Sequence, residues 1–247
     1  MKALRAAILI TCVVAGWQLL FWWAGPGSLT SPLDTIGYTI QLLGSATFYP
    51  HLAETGQAFA VALAIAISFG ILIGFSLGLY RFAGEVGEPV LVALYSIPKI
   101  TLYPIVLLAF GIGMPAKIAF GALHGIVPVA ILALSAVRNL NPVYARAARV
   151  MRMPAAQIAT YVLLPAAIPE IFTGIRIGFS LTLIGTLLGE MFASQRGLGY
   201  LLIQAIGLHN VRVIMALTLL LVVIAVSASA LLLAVDRRLR GRAAGVT

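Results

Sequence analysis

Residues 58–80 read AFAVALAIAISFGILIGFSLGLY, 23 positions without one charged side chain. A helix needs about 20 mostly apolar residues to cross the hydrocarbon core of a bilayer. Lipid offers no partner for backbone N–H and C=O groups, so a crossing segment of this kind must be helical. Five further apolar runs flank it, at about 6–24, 89–110, 117–137, 168–189 and 211–235. Together they predict an all-α membrane protein with about six transmembrane helices, forming a single transmembrane domain over residues 1–247. Residues 25–56 are too polar to cross, and Ser31-Pro32-Leu33 there opens a short surface helix.

Composition supports the same class. The chain has 247 residues, 62% hydrophobic and 9% charged, with a mean hydropathy of +1.08. Soluble domains carry roughly 25% charged residues. Six spans leave no room for a nucleotide-binding domain, and the chain contains no P-loop. Cys12 is the single cysteine, so no internal disulfide forms. His51, His124 and His209 are dispersed, and no metal site is expected. Lys2 and Arg5 give the first run a charged start like that of a signal peptide. Its apolar stretch is longer than the 7–15 residues usual there, and Trp17, Trp22 and Trp23 suit an interfacial anchor, which favours a retained helix.

The net charge of +9 is unevenly distributed. With the N-terminus inside, Lys2, Arg5, Arg81, Arg138, Arg146, Arg149, Arg152, Arg237, Arg238, Arg240 and Arg242 fall on the cytoplasmic side. Lys117, Arg196 and Arg212 fall outside, and Lys99 and Arg176 lie within spans. This asymmetry predicts that both termini are cytoplasmic. In the second span Ala62, Ala66, Gly70, Gly74 and Gly78 recur every four residues. Small residues on one face let a second backbone approach closely. Gly174 and Gly178, then Gly185 and Gly189, repeat the device in span five. Tight bundle packing is the plain consequence, and a flexible gate is the alternative.

The segment 138–167 between spans four and five differs from the other connections. Asn141-Pro142 is a helix start, because Asn caps and Pro fits the first helical position. The helix from there should end near Met153, with Pro154 supplying the break, and a second short helix should reach Leu164 before Pro165. Arg146, Arg149 and Arg152 form a slanting basic stripe beside Ala147, Val150 and Met151. Such a stripe lies on anionic head groups or docks a cytosolic protein.

Tyr144-Ala-Arg-Ala-Ala-Arg-Val-Met-Arg-Met-Pro154, continuing to Val162-Leu-Leu-Pro165 and Gly174-Ile-Arg176, resembles the EAA loop of ABC importer permeases. Ser96-Ile-Pro98-Lys99, Tyr103-Pro104 and Phe110-Gly111-Ile-Gly113, with Ser31-Pro32 upstream, are similar to the branch importing nitrate, taurine and alkanesulfonates. Nearly all of the chain after residue 30 is covered. The resemblance implies a type I ABC importer permease fold in a bacterial inner membrane. It implies two permease chains around a pore, cytosolic ATPases gripping the loop, and an external solute-binding protein delivering a small solute. ATP and Mg would then be held by the ATPase partners, and no cofactor by this chain, which would not itself be an enzyme. Tyr144, Arg146, Ala147, Ala148, Arg149, Met151, Arg152 and Pro154 become the coupling residues. Glu190, Gly197 and Gly199 become the binding-protein contact. Arg146 stands where the family has an acidic residue and Arg152 where it has a glycine. A matching acidic rim on the ATPase would explain this, as would a heterodimeric pore whose other chain keeps the usual loop.

For the translocation pathway, Pro98, Lys99, Tyr103, Pro104 and His124 are the candidates. Lys99 lies about ten residues into the third span, where a charge is costly. It attracts an anion, snorkels, or pairs with Glu170 or Glu190. Pro98 and Pro104 free backbone carbonyls and permit a kink. Arg176 reads as a structural tie. The rival class is a secondary transporter or channel working without an ATPase, which usually shows an internal repeat; none is visible. A membrane enzyme would need clustered acids, histidines or cysteines within the spans.

Overall fold

The computed structural model describes residues 2–192 and 194–244, apart from the side chains of Lys2, Ala3, Ala6 and 241–244. All secondary structure among them is helical. Helix α1 (Lys2–Ala24) leads to α2 (Pro32–Leu43), whose Ser31 cap accepts from the Asp34 N–H. Then come α3 (Tyr49–Leu79), α4 (Arg81–Ser96), a 3-10 turn (Lys99–Leu102), α5 (Tyr103–Phe110) and α6 (Met114–Arg138). Helix α7 (Pro142–Val150), a turn and α8 (Ala155–Gln157) follow. A π-helical stretch (Ile158–Leu163) joins α8 to α9 (Leu164–Phe192). Helices α10 (Leu198–Gly207) and α11 (Val211–Ala244) complete the chain. Among the described residues five helices are long and apolar enough to cross a membrane, or six if the bent pair of α4 with the segment Lys99–Phe110 is one span.

Helix α6 is the centre of the bundle, packed between α3 and α9. The stripe Ala62, Ala66, Gly70 and Gly74 is buried against it, and Gly78 is half-buried. A Cβ on Gly70 would sit 2.6 Å from Val129 Cβ, and one on Gly74 would strike the Ala130 carbonyl. Gly78 faces Val137 in the same way. On the other flank Gly178 lies against the Gly125 carbonyl and Gly174 against Val129 and Leu132. These approaches exclude side chains, and tight packing is what the stripe provides. Phe59 and Phe179 meet edge to face at 4.9 Å between α3 and α9.

Two expectations about continuity are corrected. Span three is not one straight helix over 89–110: α4 and the following segment bend by 84°. Pro98 removes an N–H and biases Ile97 to extended backbone, here φ −64° and ψ 128°. Conversely, Pro165 does not separate a loop helix from span five. Residues 155–192 form one 38-residue helix. The π-helical widening immediately before Pro165 accommodates the missing N–H, as π-bulges do.

Candidate functional site

The chemistry collects at the two ends of the bundle. At the loop end, Asn141 Oδ1 accepts from the Val143 N–H at 3.0 Å and starts α7. The helix ends in a tight C-terminal motif. Met153 N–H donates to the Ala148 carbonyl and Arg152 N–H to the Arg149 carbonyl, at 3.1 and 2.9 Å. That pair of bonds defines a Schellman turn and needs left-handed backbone at its penultimate residue. Arg152 supplies it, with φ 57°. The expectation that Pro154 makes the break is therefore corrected: Arg152 adopts the glycine-like conformation itself, and Pro154 caps α8.

Ala148 is buried on the inner side of α7, while Tyr144, Arg146, Ala147, Arg149, Met151 and Arg152 are exposed. Of the expected coupling residues, Ala148 is thus the one packed inside the hairpin. Arg146 and Arg149 donate through Nε to the carbonyls of Pro142 and Ala145, at 3.5 and 3.1 Å. Deeper at this end, Arg176 pairs with Asp236 at 3.5 Å, and Arg240 pairs with the same carboxylate at 3.1 Å. Arg176 is the structural tie expected of it, joining α9 to α11. Arg138 at the end of α6 pairs with Glu88 of α4.

At the far end a buried polar network fixes the start of α10. Glu190, fully buried, accepts from Thr55 Oγ1 at 2.9 Å and from the Gly199 N–H at 2.9 Å. Thr55 Oγ1 in turn accepts from the Leu198 N–H at 2.8 Å, and His51 Nδ1 accepts from the Gly197 N–H at 3.2 Å. The carboxylate thereby serves orphan donors at a helix N-terminus, where negative charge is favoured. Gly197 has φ +123°, and a side chain there would collide with the Glu190 carboxylate. Lys117, counted from sequence among the outer-side charges, is 1% exposed. It donates to Glu54 at 3.0 Å and to the Arg196 carbonyl at 2.8 Å, and lies 4.0 Å from Glu190.

Glu190, Gly197 and Gly199, expected from sequence at a docking surface, are all buried within the chain. They hold the turn whose exposed residues are Gln195 and Arg196. A cleft of about 820 Å³ opens between α2 and the α10–α11 turn, with Asp34, Tyr38, His209, Asn210 and Arg212 on its walls.

The expected pathway residues divide. Pro98 and Pro104 are exposed at the break and Lys99 is half-buried beside it. Lys99 Nζ donates to the Tyr95 carbonyl at 3.2 Å and lies 5.0 Å from the Tyr95 ring centroid. It pairs with neither Glu170 nor Glu190; no carboxylate lies within ion-pair distance among the described residues. Tyr103 does not border an open route. It is buried, donates to the Gly189 carbonyl at 2.7 Å and packs on Phe120 and Phe192. His124 is half-buried, with Nδ1 2.9 Å from the Phe120 carbonyl and its ring against Gly185.

The described residues form a bundle of helices long and apolar enough to cross a membrane, with a structured helical hairpin at one end and a capped turn at the other. Residues 66–241 match the family described as binding-protein-dependent transport system inner membrane component. The chain belongs to that family and is an ABC importer permease. It is 31% identical over 199 residues to the taurine transport system permease protein TauC of Escherichia coli (strain K12), spanning 76% of this chain and 72% of that protein. The nitrate import permease protein NrtB of Synechocystis sp. is 28% identical over 218 residues, spanning 83% and 77%. In fold, the chain is similar to a chain of the MetNI methionine ABC transporter in an inward-facing conformation. The TM-score is 0.61 at 22% identity, with 77% of this chain and 93% of that chain covered.

Proposed function

We propose that this chain is the non-catalytic, pore-forming subunit of an importer in a bacterial inner membrane, moving a small anion such as nitrate or a sulfonate. Two permease chains flank the route, ATP and Mg are held by cytosolic ATPase subunits, and an external binding protein delivers the solute. The observation that carries the reading is the hairpin of residues 139–163, built as a direct continuation of α9. A helix that leaves the bundle without a joint transmits rigid-body displacement, which is how closure of a partner becomes a switch between two packings. Arginine asymmetry supports a cytoplasmic placement of this end: Arg81, Arg138, Arg146, Arg149, Arg152, Arg237, Arg238 and Arg240 lie there, against Lys117, Arg196 and Arg212 at the other.

The anionic preference rests on Lys99. Non-helical backbone at membrane depth is tolerated where protein covers it or where it lines a water-filled cavity. The break at Ile97–Pro98 with its lysine meets that condition against a second permease chain. Vesicles reconstituted with the chain, its ATPase and its binding protein should accumulate nitrate or taurine only with ATP. Uptake by the chain alone, without nucleotide, would overturn the reading.

A further inference from the structure

We propose that the ATPase surface receiving this hairpin is acidic, a carboxylate-lined groove that takes the apolar tip Val150–Met151 between the guanidinium groups of Arg146, Arg149 and Arg152. The inference rests on the docking role proposed above and adds the chemistry of the partner.

Four observations carry it. First, the three arginines are exposed, and no carboxylate stands within ion-pair distance of any of them among the described residues. Two carboxylates of α4 are already paired, Glu85 with Arg81 and Glu88 with Arg138. Second, the tip they surround is apolar and open: Val150 is 84% and Met151 75% exposed. Methionine and arginine around an apolar centre are the composition of a protein–protein interface.

Third, the hairpin extends along its own axis well past the packed end of the bundle, far enough to clear head groups if it follows the membrane normal. Ala167 and Ile171 pack with Ala133, Ala136 and Val137 in the last turns of α6, which ends at Arg138. From Ala167 to Ala155 the same helix rises a further 12 residues, about 18 Å at 1.5 Å per residue. Head groups extend only about 5–8 Å past the hydrocarbon. Fourth, Arg152 occupies a left-handed position that glycine adopts freely and a side chain resists. A positive charge kept at a strained turn points to use of that charge.

The test uses the full chain in lipid nanodiscs with the ATPase subunit of its own importer. In a Cys12→Ser background, Met151→Cys should form a cross-link to the ATPase. Reversal of all three arginines to Glu should weaken association by about tenfold or more, and added NaCl should weaken the parent complex progressively. The corresponding Gln triple variant should lie between, with unchanged melting temperature. Cross-linking together with insensitivity to reversal and to salt would overturn the acidic groove and leave docking standing. Absence of the cross-link would overturn docking itself. A reversal effect present in phosphatidylglycerol nanodiscs and absent in phosphatidylcholine would assign the arginines to lipid, which also overturns the proposal.

Discussion

Replacing Glu190 by Gln tests whether a buried carboxylate, and not shape alone, holds the turn before α10. Gln has nearly the same volume, so packing against Gly197 and Gly199 is preserved while charge and acceptor capacity change. In the parent, one oxygen accepts from Thr55 and Gly199 and the other from Thr55, with the Lys117 ammonium 4.0 Å away. An amide retains one acceptor. Its two hydrogens would face a threonine hydroxyl already engaged with the Leu198 N–H and a lysine ammonium. A hydrogen bond to a charged group contributes about 1.5–3 kcal/mol, and one is lost. The attraction across 4.0 Å amounts to about 4 kcal/mol at an effective dielectric constant near 20, and the easier burial of a neutral amide offsets most of it. The net loss is about 2–4 kcal/mol. At roughly 2–4 °C per kcal/mol for a chain of this size, the melting temperature falls by about 5–15 °C. Thermal unfolding of the purified chain in detergent reads this directly. Amide exchange should accelerate at Leu198 and Gly199 and stay unchanged across 142–157. A Glu190→Gln chain that melts within about 1 °C of the parent would refute the carboxylate clamp.

Gly74→Ala places a Cβ 2.8 Å from Ala133 Cβ and closer still to the Ala130 carbonyl oxygen. Backbone cannot rotate away, so α3 and α6 must part, and thermal unfolding should register about 1–3 kcal/mol of destabilisation. Arg152→Gly relieves the left-handed arginine. It should stabilise the turn by about 1 kcal/mol, seen as roughly fivefold slower exchange of the Met153 amide. Lys99→Ala should reduce uptake of an anionic solute in reconstituted vesicles while leaving copurification with the ATPase unchanged; unaltered uptake removes Lys99 from the route. Asp236→Ala leaves the partly exposed Arg176 and Arg240 without their shared counter-ion and should destabilise by about 1–2 kcal/mol in the same melting assay.

The crossings were legible because residues such as 58–80 are apolar on every side, and the glycine stripe because its step of four matches one helix face. The start of the hairpin was legible in Asn141-Pro142. The break in span three was not: apolarity is continuous over 89–110, and Pro98 signals a lost N–H without fixing an angle. Pro165 misled in the opposite sense, because the π-helical widening before it exists only in three dimensions. Lys117 reads as an outer-side charge because its counter-ion, Glu54, is 63 positions away. The Thr55–Glu190 bond joins residues 135 apart, a pairing no local pattern encodes. Ala148 lies among exposed neighbours in sequence, and only the fold of the second half of the hairpin turns it inward.

The helix over residues 155–192 is about 57 Å long at 1.5 Å per residue and carries the arginine hairpin at one tip and the Glu190 clamp at the other. With the hairpin docked as proposed, it would act as a pushrod: an axial stroke applied at either tip would reach the other without an intervening hinge loop. The wider-wound stretch at 158–163 and Pro169 are the places where its regular α-helical bonding is interrupted, both toward the hairpin end.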